Sequence, residues 1–280
     1  MLICERFLTN LIFPMSVQYR NNVQIAGSGH ATMVFAHGFG CDQSMWRFLA
    51  PVYQQRFRTV LYDLTGCGDS DRSAYDRARH GSLHGHADDL MEILDACAAG
   101  PVVFVGHSVG ATIGLLAAIK APERFVAQVM VGPSPCYIND GDYVGGFNRT
   151  DMEELLASMD DDFPAWARSI APVLMGAGRP ALTEELVATF MRNDQGVARH
   201  FARATFLSDH RADLPRAKVP SLILQCRDDL IVPREVGDYM LRHLPNSSLQ
   251  VIDDEGHCPH INEPTASSQA IDAFLARTLG

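Results

Sequence analysis

The sequence predicts a doubly wound α/β fold, in which helices cover both faces of a mostly parallel sheet. Short, apolar, β-branched runs alternate with segments of helical periodicity, which is the pattern of a parallel sheet. Most of these runs are apolar throughout, so the strands that they form should be buried on both faces. The stretch 136–214 interrupts the alternation with helix signals only, which indicates an insertion above the sheet.

The candidate strands are short and recur along the chain. They are Val17–Tyr19, Val23–Ile25, Thr32–Ala36, Thr59–Tyr62, Val102–Val105, Ala127–Val131, Ser221–Gln225 and Leu249–Ile252. Helical periodicity between them gives candidate helices at His86–Ala98, Ala111–Ala121, Val236–His243 and Ala266–Leu279. The sheet and its covering helices therefore occupy 16–135 and 215–280.

The insertion 136–214 is predicted to be a four-helix lid. Capping residues and first-turn prolines precede four separate apolar-periodic segments there, as expected for short helices. Aromatic side chains recur in these segments and would line an apolar pocket: Trp166, Phe190, Phe201 and Phe206. Each of them also fits the simpler interpretation that it belongs to the core of the lid.

Composition limits the partners and the compartment. The formal net charge of −10 disfavours nucleic acid and anionic membranes as partners, because both would repel an acidic protein. No apolar run reaches the roughly 18 residues that a membrane-spanning helix needs. The seven cysteines are widely spaced and include no C-x-x-C pair, which indicates free thiols in a reducing environment. We therefore expect a cytoplasmic protein.

Residues 1–15 precede the first predicted element. Glu5 interrupts their apolar stretch and no small-residue cleavage site follows, so a secretory signal is not expected. We interpret 1–15 as a disordered extension, or as the product of a start codon placed too early with Met15 as the true start.

The strongest functional signal is the sequence Gly106-His107-Ser108-Val109-Gly110, between a buried strand and a helix. G-x-S-x-G is a weak pattern alone, but in this context it indicates the nucleophile elbow of α/β-hydrolases. The turn is so tight that the flanking residues must be small, and it presents Ser108 at a helix N-terminus, where negative charge is stabilised. We predict an α/β-hydrolase fold with Ser108 as the nucleophile.

A serine hydroxyl needs a general base, and the expected chain order is Ser, then Asp or Glu, then His. His257 fits best among eleven histidines, because it follows the last candidate strand in a loop that returns to the top of the sheet. His260, three residues further on, is the rival. His243 lies in a helical pattern and His107 in the elbow itself, so neither suits the role.

The acid that orients the histidine is expected in the loop after Ser221–Gln225. Asp228 and Asp229 both lie there, and we predict Asp229, with Asp228 as the alternative. The loop after Ala127–Val131 holds no acidic residue, which removes the other common location.

Two backbone N–H groups should stabilise the oxyanion of the tetrahedral intermediate. One belongs to Val109, the residue after the nucleophile. The second is expected in the glycine-rich turn that follows Thr32–Ala36, with Phe39 as the donor. His107 and Tyr137 complete the candidate substrate-pocket residues, together with Trp166, Phe190 and Phe206.

His80, His84 and His86 form a second concentration of histidines. No acidic or cysteine partner has a spacing typical of zinc sites, so we interpret the group as a solvated loop and helix start. We therefore expect neither a metal ion nor a cofactor.

Longer blocks of the sequence resemble one family. They include GSGHATMVFAHGFGCDQSMW (27–46), VFVGHSVGATIGLLA (103–117), VMVGPSPCYIND (129–140), GGF (145–147), FLSDHRADL (206–214), VPSLILQCRDDLIVP (219–233) and GHCPH (256–260). From about Ser16 onward, the chain resembles the RsbQ family of α/β-hydrolases. These bacterial stress-response regulators are related to the plant strigolactone and karrikin receptors.

The resemblance implies a V-shaped lid of four helices above a buried apolar pocket. It places the triad on Ser108, Asp229 and His257, and the oxyanion donors on Phe39 and Val109. It also implies slow hydrolases that act as sensors: a small hydrophobic ligand is bound and often cleaved, and the lid signals to a partner. For RsbQ that partner is a PAS-domain phosphatase in the activation of the general stress sigma factor.

Two functions therefore compete. The first is a serine hydrolase that cleaves a small apolar ester or lactone through an acyl-serine intermediate. The second is a very slow or non-enzymatic receptor that signals through its lid. A cofactor-free haloperoxidase is a third possibility on this fold. A haloalkane dehalogenase is disfavoured because it needs a carboxylate where Ser108 stands.

Overall fold

One seven-stranded sheet organises the part of the chain that the computed structural model describes, residues 16–98 and 100–280. The strands are β1 (Gln24–Ala26), β2 (Ala31–Ala36), β3 (Phe57–Tyr62), β4 (Val102–His107), β5 (Phe125–Val131), β6 (Ser221–Asp228) and β7 (Ser247–Glu255). Their order is β1-β3-β2-β4-β5-β6-β7. Neighbouring strands are parallel, except that β1 runs antiparallel to β3. The predicted fold class is confirmed.

Helices cover both faces of this sheet. They are α1 (Val17–Arg20), α2 (Ala50–Tyr53), α3 (Leu83–Cys97), α4 (Val109–Lys120), α5 (Arg149–Asp161), α6 (Phe163–Met175), α7 (Pro180–Arg192), α8 (Gln195–Phe206), α9 (Arg234–His243), α10 (Pro259–Asn262) and α11 (Pro264–Leu279). Alternate side chains of β2 are buried on opposite faces of the sheet. Val34 packs in the core beneath α3 and α4, and Phe35 packs in the core beneath α11. The continuous apolar runs therefore correspond to strands that are buried on both faces of the sheet.

Helices α5 to α8 lie between β5 and β6 in the chain, where the sequence predicts a lid. Asp162 begins α6 by accepting a hydrogen bond from the backbone N–H of Ala165, and Asp194 begins α8 in the same way with Val197. These caps satisfy N–H groups that the helix itself leaves without acceptors. No helix of the described residues is long and apolar enough to cross a membrane.

The expected strand at Val17–Tyr19 is wrong, because these residues form the short helix α1. Ser16 caps this helix: its hydroxyl accepts a hydrogen bond from the backbone N–H of Tyr19. Three residues with apolar ends fit a strand and a helical turn equally well, so the capping serine was the informative signal. The prediction for 1–15 falls outside the described residues.

Candidate active site

The turn between β4 and α4 holds Ser108 in a strained conformation, with φ 53° and ψ −123°. A side chain on either flanking glycine would collide with backbone. A Cβ at Gly106 would lie 2.6 Å from the Ala111 nitrogen, and one at Gly110 would lie 2.6 Å from the His37 oxygen. The two glycines of the motif are therefore needed for the tight turn that presents Ser108 at the start of α4.

Ser108, His257 and Asp229 form one continuous hydrogen-bonded chain. The Nε2 atom of His257 lies 2.9 Å from the Ser108 hydroxyl oxygen, and its Nδ1 atom lies 2.7 Å from a carboxylate oxygen of Asp229. An ionised carboxylate only accepts hydrogen bonds, so Nδ1 carries the proton and Nε2 is free to accept one from Ser108. All three residues are buried. The arrangement is thus suited to remove the serine proton.

Asp229 is itself held in place by backbone. Its second carboxylate oxygen accepts hydrogen bonds from the N–H groups of Ile231 and Val232, at 2.9 and 3.0 Å. These bonds fix the carboxylate toward His257. The alternative acid, Asp228, points elsewhere: its side chain is exposed and pairs with Arg227.

The loop that carries His257 is held against the lid. The backbone N–H of His257 donates to the carbonyl oxygen of Leu174 in α6, at 2.7 Å. Gly256 precedes it with φ 95°, and a Cβ there would lie 2.8 Å from the same Leu174 oxygen. Sequence reasoning missed this link, because nothing in the sequence pairs residue 174 with residue 257.

The rival base, His260, does not contact Ser108. Its ring lies between the Trp46 indole and the His107 imidazole, with centroids 4.6 and 4.4 Å away. Neither of its nitrogens has a hydrogen-bond partner among the described residues. Burial lowers the pKa of His260 to about 3, so the ring is neutral and serves as packing.

His107 lines the site and also forms a hydrogen bond to the backbone of His257. Its Nε2 atom lies 3.0 Å from the carbonyl oxygen of His257, and since a carbonyl only accepts, Nε2 is the donor. Burial and the neighbouring histidines hold the pKa of His107 well below its usual range. A neutral ring at this position adds no positive charge beside His257.

The glycine-rich turn after β2 reaches the nucleophile. A Cβ at Gly38 would lie 3.3 Å from the Cβ of Ser108, so the backbone that precedes Phe39 passes directly over the serine. The N–H groups of Phe39 and Val109 donate to no acceptor in the described part of the chain. Both amides are therefore available to an incoming oxygen atom, as an oxyanion site requires.

A buried, mainly apolar cavity opens onto Ser108 and His257. The core contributes Ser108, His257, His107 and Phe39. The lid contributes apolar side chains, among them Met152, Leu155, Trp166, Ile170, Phe190 and Phe206.

Some of the residues predicted to line the pocket do so, and others do not. His107, Trp166, Phe190 and Phe206 line the cavity. Phe201 does not: it packs behind the lining, against the ring of Phe39.

Tyr137 is not among the residues that line the cavity, but its hydroxyl lies 3.4 Å from the Ser108 oxygen. Burial raises the pKa of Tyr137 to about 12, so the hydroxyl keeps its proton. Cys41 and Cys258 also line the cavity, and sequence reasoning missed both. Their wide spacing in the sequence did not indicate a shared site. Burial raises the pKa of each thiol, which makes both cysteines poor nucleophiles.

The interpretation of the second histidine group as solvated is wrong for two of its members. His80 and His86 are buried, and only His84 is exposed. An acidic partner is present as well: Asp89 lies one helical turn after His86 and is 2.9 Å from His80. The i, i+3 spacing that places His86 and Asp89 on one helix face was the signal that could have indicated an acidic neighbour.

Comparison with known proteins identifies the family. The profile described as "Alpha/beta hydrolase family" matches residues 33–270. The chain belongs to the α/β-hydrolase family. This agrees with the strand order and with the serine at the β4–α4 turn.

Several members of this α/β-hydrolase family are similar over nearly their full length. A strigolactone esterase of Pisum sativum is 35% identical over 258 residues, which cover 91% of this chain and 97% of the relative. A karrikin insensitive 2 receptor of Petunia hybrida is 37% identical over 250 residues, which cover 89% of this chain and 93% of the relative. The predicted relationship to plant strigolactone and karrikin receptors is confirmed.

Among solved structures, a hydrolase from Oleispira antarctica superposes with a TM-score of 0.90 and 41% identity. The match covers 93% of this chain and 96% of that chain. Relatives named as esterases and hydrolases confirm that the chain is an α/β-hydrolase of the esterase type.

Proposed function

We propose that this α/β-hydrolase cleaves a small hydrophobic ester or lactone through an acyl-enzyme intermediate on Ser108. The observation that carries the proposal is the 2.9 Å contact between the Ser108 hydroxyl and the free Nε2 atom of His257. A buried base at this distance can take the proton as the hydroxyl oxygen attacks.

In this mechanism the Ser108 oxygen attacks the substrate carbonyl while His257 accepts the hydroxyl proton. Asp229 stabilises the resulting imidazolium, and the N–H groups of Phe39 and Val109 bind the oxyanion. Collapse of the intermediate breaks the bond to the leaving alcohol, which receives the proton from His257. Water, activated by the same histidine, then attacks the acyl-serine, releases the acid and restores the hydroxyl.

The cavity favours an apolar acyl group. Its walls are mostly aromatic and aliphatic, and its polar groups are concentrated at the serine and histidine end. A small hydrophobic ester or lactone would bury its apolar part against the lid and present its carbonyl to Ser108.

The direct test is Ser108→Ala with p-nitrophenyl acetate as substrate. We expect kcat to fall by several orders of magnitude, on the order of 10⁶-fold if chemistry limits the rate, with the melting temperature preserved. Ser268→Ala, which changes an exposed hydroxyl on α11, is the matched control and should keep full activity. Undiminished cleavage by Ser108→Ala would refute the nucleophile.

We also propose that turnover is slow and that the protein acts as a cytoplasmic ligand sensor of the RsbQ type, with a PAS-domain phosphatase as its partner. The blocks of sequence shared with that family and the relatives named as karrikin receptors support this proposal. A sensor would show a kcat below about 1 s⁻¹ with its ligand and a raised melting temperature when bound. Rapid turnover of a specific ester, with no complex with the phosphatase, would favour a metabolic esterase instead.

A further inference from the structure

A cluster of potential metal ligands lies outside the candidate active site, where the loop before α3 meets that helix. One donor atom from each of His80, His86 and Asp89 lies within 4.8 Å of the others, and all three residues are buried. Ligands of a tetrahedral zinc ion bind at about 2.0–2.2 Å, which leaves the donor atoms about 3.3 Å apart. Small side-chain rotations therefore suffice to close the cluster around an ion.

His86 has a ring nitrogen that is free to bind a metal ion. It is 1% exposed, and neither ring nitrogen has a hydrogen-bond partner among the described residues. A buried polar group without a partner is unfavourable, and a bound ion would give one nitrogen of His86 a partner.

His80 can free an Nε2 lone pair by changing its tautomer. At present its Nε2 atom donates to a carboxylate oxygen of Asp89 at 2.9 Å. Its Nδ1 atom lies 3.0 Å from the backbone nitrogen of Asp76 and 2.9 Å from the carbonyl oxygen of Asp76. When the proton moves to Nδ1, that carbonyl oxygen accepts a hydrogen bond from it, and the Asp76 N–H loses its acceptor. The Nε2 lone pair becomes free for an ion, in place of the hydrogen bond to Asp89. A backbone carbonyl in this position is the usual support of a metal-bound histidine.

Both carboxylate oxygens of Asp89 have partners, and Oδ2 is the one that faces His80. Arg79 and Arg20 lie near Oδ1, at 2.5 and 3.6 Å, and Thr65 and His80 contact Oδ2. The two arginines hold the carboxylate in place. Their positive charge opposes a cation, but Glu92 pairs with both of them and offsets part of this charge.

We propose that His80, His86 and Asp89 bind one divalent transition-metal ion, with Zn²⁺ as the best fit to two imidazoles and one carboxylate. Water is the fourth ligand. The ion would stiffen the contact between α3 and lid helix α8, because the His86 ring packs on Phe201 with centroids 4.5 Å apart. This proposal does not depend on the esterase activity.

The test uses the full chain without an affinity tag, dialysed against Zn²⁺ or Co²⁺ and analysed for bound metal. We expect about one equivalent in the wild type. His86→Phe keeps an aromatic ring in the core and should weaken binding on the order of 100-fold. His84→Ala removes the exposed histidine of the same segment and should bind like the wild type. No bound metal in the wild type, or equal loss in both variants, would overturn the proposal.

X-ray absorption of the zinc-loaded wild type gives a second test that needs no variant. We expect only nitrogen and oxygen ligands at about 2.0 Å, with the outer-shell scattering of imidazole. Sulfur ligands at about 2.3 Å would place the ion on cysteines and contradict the assignment.

Discussion

The two walls of the cavity differ in what they contribute. The wall formed by the sheet provides Ser108 and His257, and hydrogen bonds to buried backbone hold the Asp229 carboxylate behind them. The wall formed by the lid provides mainly apolar side chains, such as Trp166 and Phe190. Under the proposed function, the sheet side performs the chemistry while the lid side selects the substrate that reaches it. Substitutions on the two walls should therefore have different kinetic signatures.

Among substitutions that leave Ser108 in place, the largest effect should come from the sheet wall. Asp229→Asn removes the carboxylate that fixes the His257 tautomer, and we expect kcat to fall about 10⁴-fold. Asp228→Asn, one residue away and exposed, is the matched control and should stay within about twofold of wild type. Steady-state kinetics with p-nitrophenyl acetate would measure both. The reverse order would assign the acid to Asp228.

The lid wall should change selectivity more than rate. Phe206→Ala enlarges the cavity, and we expect the preferred acyl chain to lengthen, with a change of about tenfold in relative kcat/KM between short and long esters. Met191→Ala removes an exposed side chain of α7 and is the control. A uniform loss of kcat with an unchanged acyl preference would mean that Phe206 supports the catalytic residues instead.

These walls also differ in how much of them the sequence predicts. Ser108 and its glycines form a local pattern whose steric cause can be read directly. Asp229 was chosen over Asp228 from position alone, and the backbone N–H groups that orient it become visible only in the structure.

Burial by tertiary packing is the part that local patterns miss. His80 and His86 are predicted to lie in a solvated loop and helix start, but Phe201 from a distant helix covers His86. Phe201 was expected in the pocket and lies behind it for the same reason: the orientation of α8 was not encoded in its own periodicity.

The smallest effect concerns stability, and it comes from buried histidines whose ring nitrogens have no hydrogen-bond partner among the described residues. The pKa values of His86 and His260 are about 3 in the folded state, against about 6.5 when unfolded, so the unfolded chain binds more protons as the pH falls. Their contribution is complete above pH 6.5 and declines from there toward pH 3. As the pH falls over this range, each of the two histidines should lower the free energy of unfolding by up to about 1.4 kcal/mol per pH unit.

Urea unfolding between pH 7 and pH 5 measures this slope. His260→Phe should reduce it by about one histidine's share, whereas His84→Ala, which changes an exposed ring, is the control. A stability that is flat over this range would contradict the neutral state of the buried rings.

The most direct test of the central claim is covalent labelling with a small alkyl fluorophosphonate, followed by mass spectrometry and peptide mapping. Attack by an activated serine expels fluoride and leaves a stable phosphonyl ester. We predict one adduct per chain, on Ser108, with activity lost in proportion, and no adduct in His257→Ala. Full inactivation with the label on any other residue, or equal labelling without His257, would contradict the account.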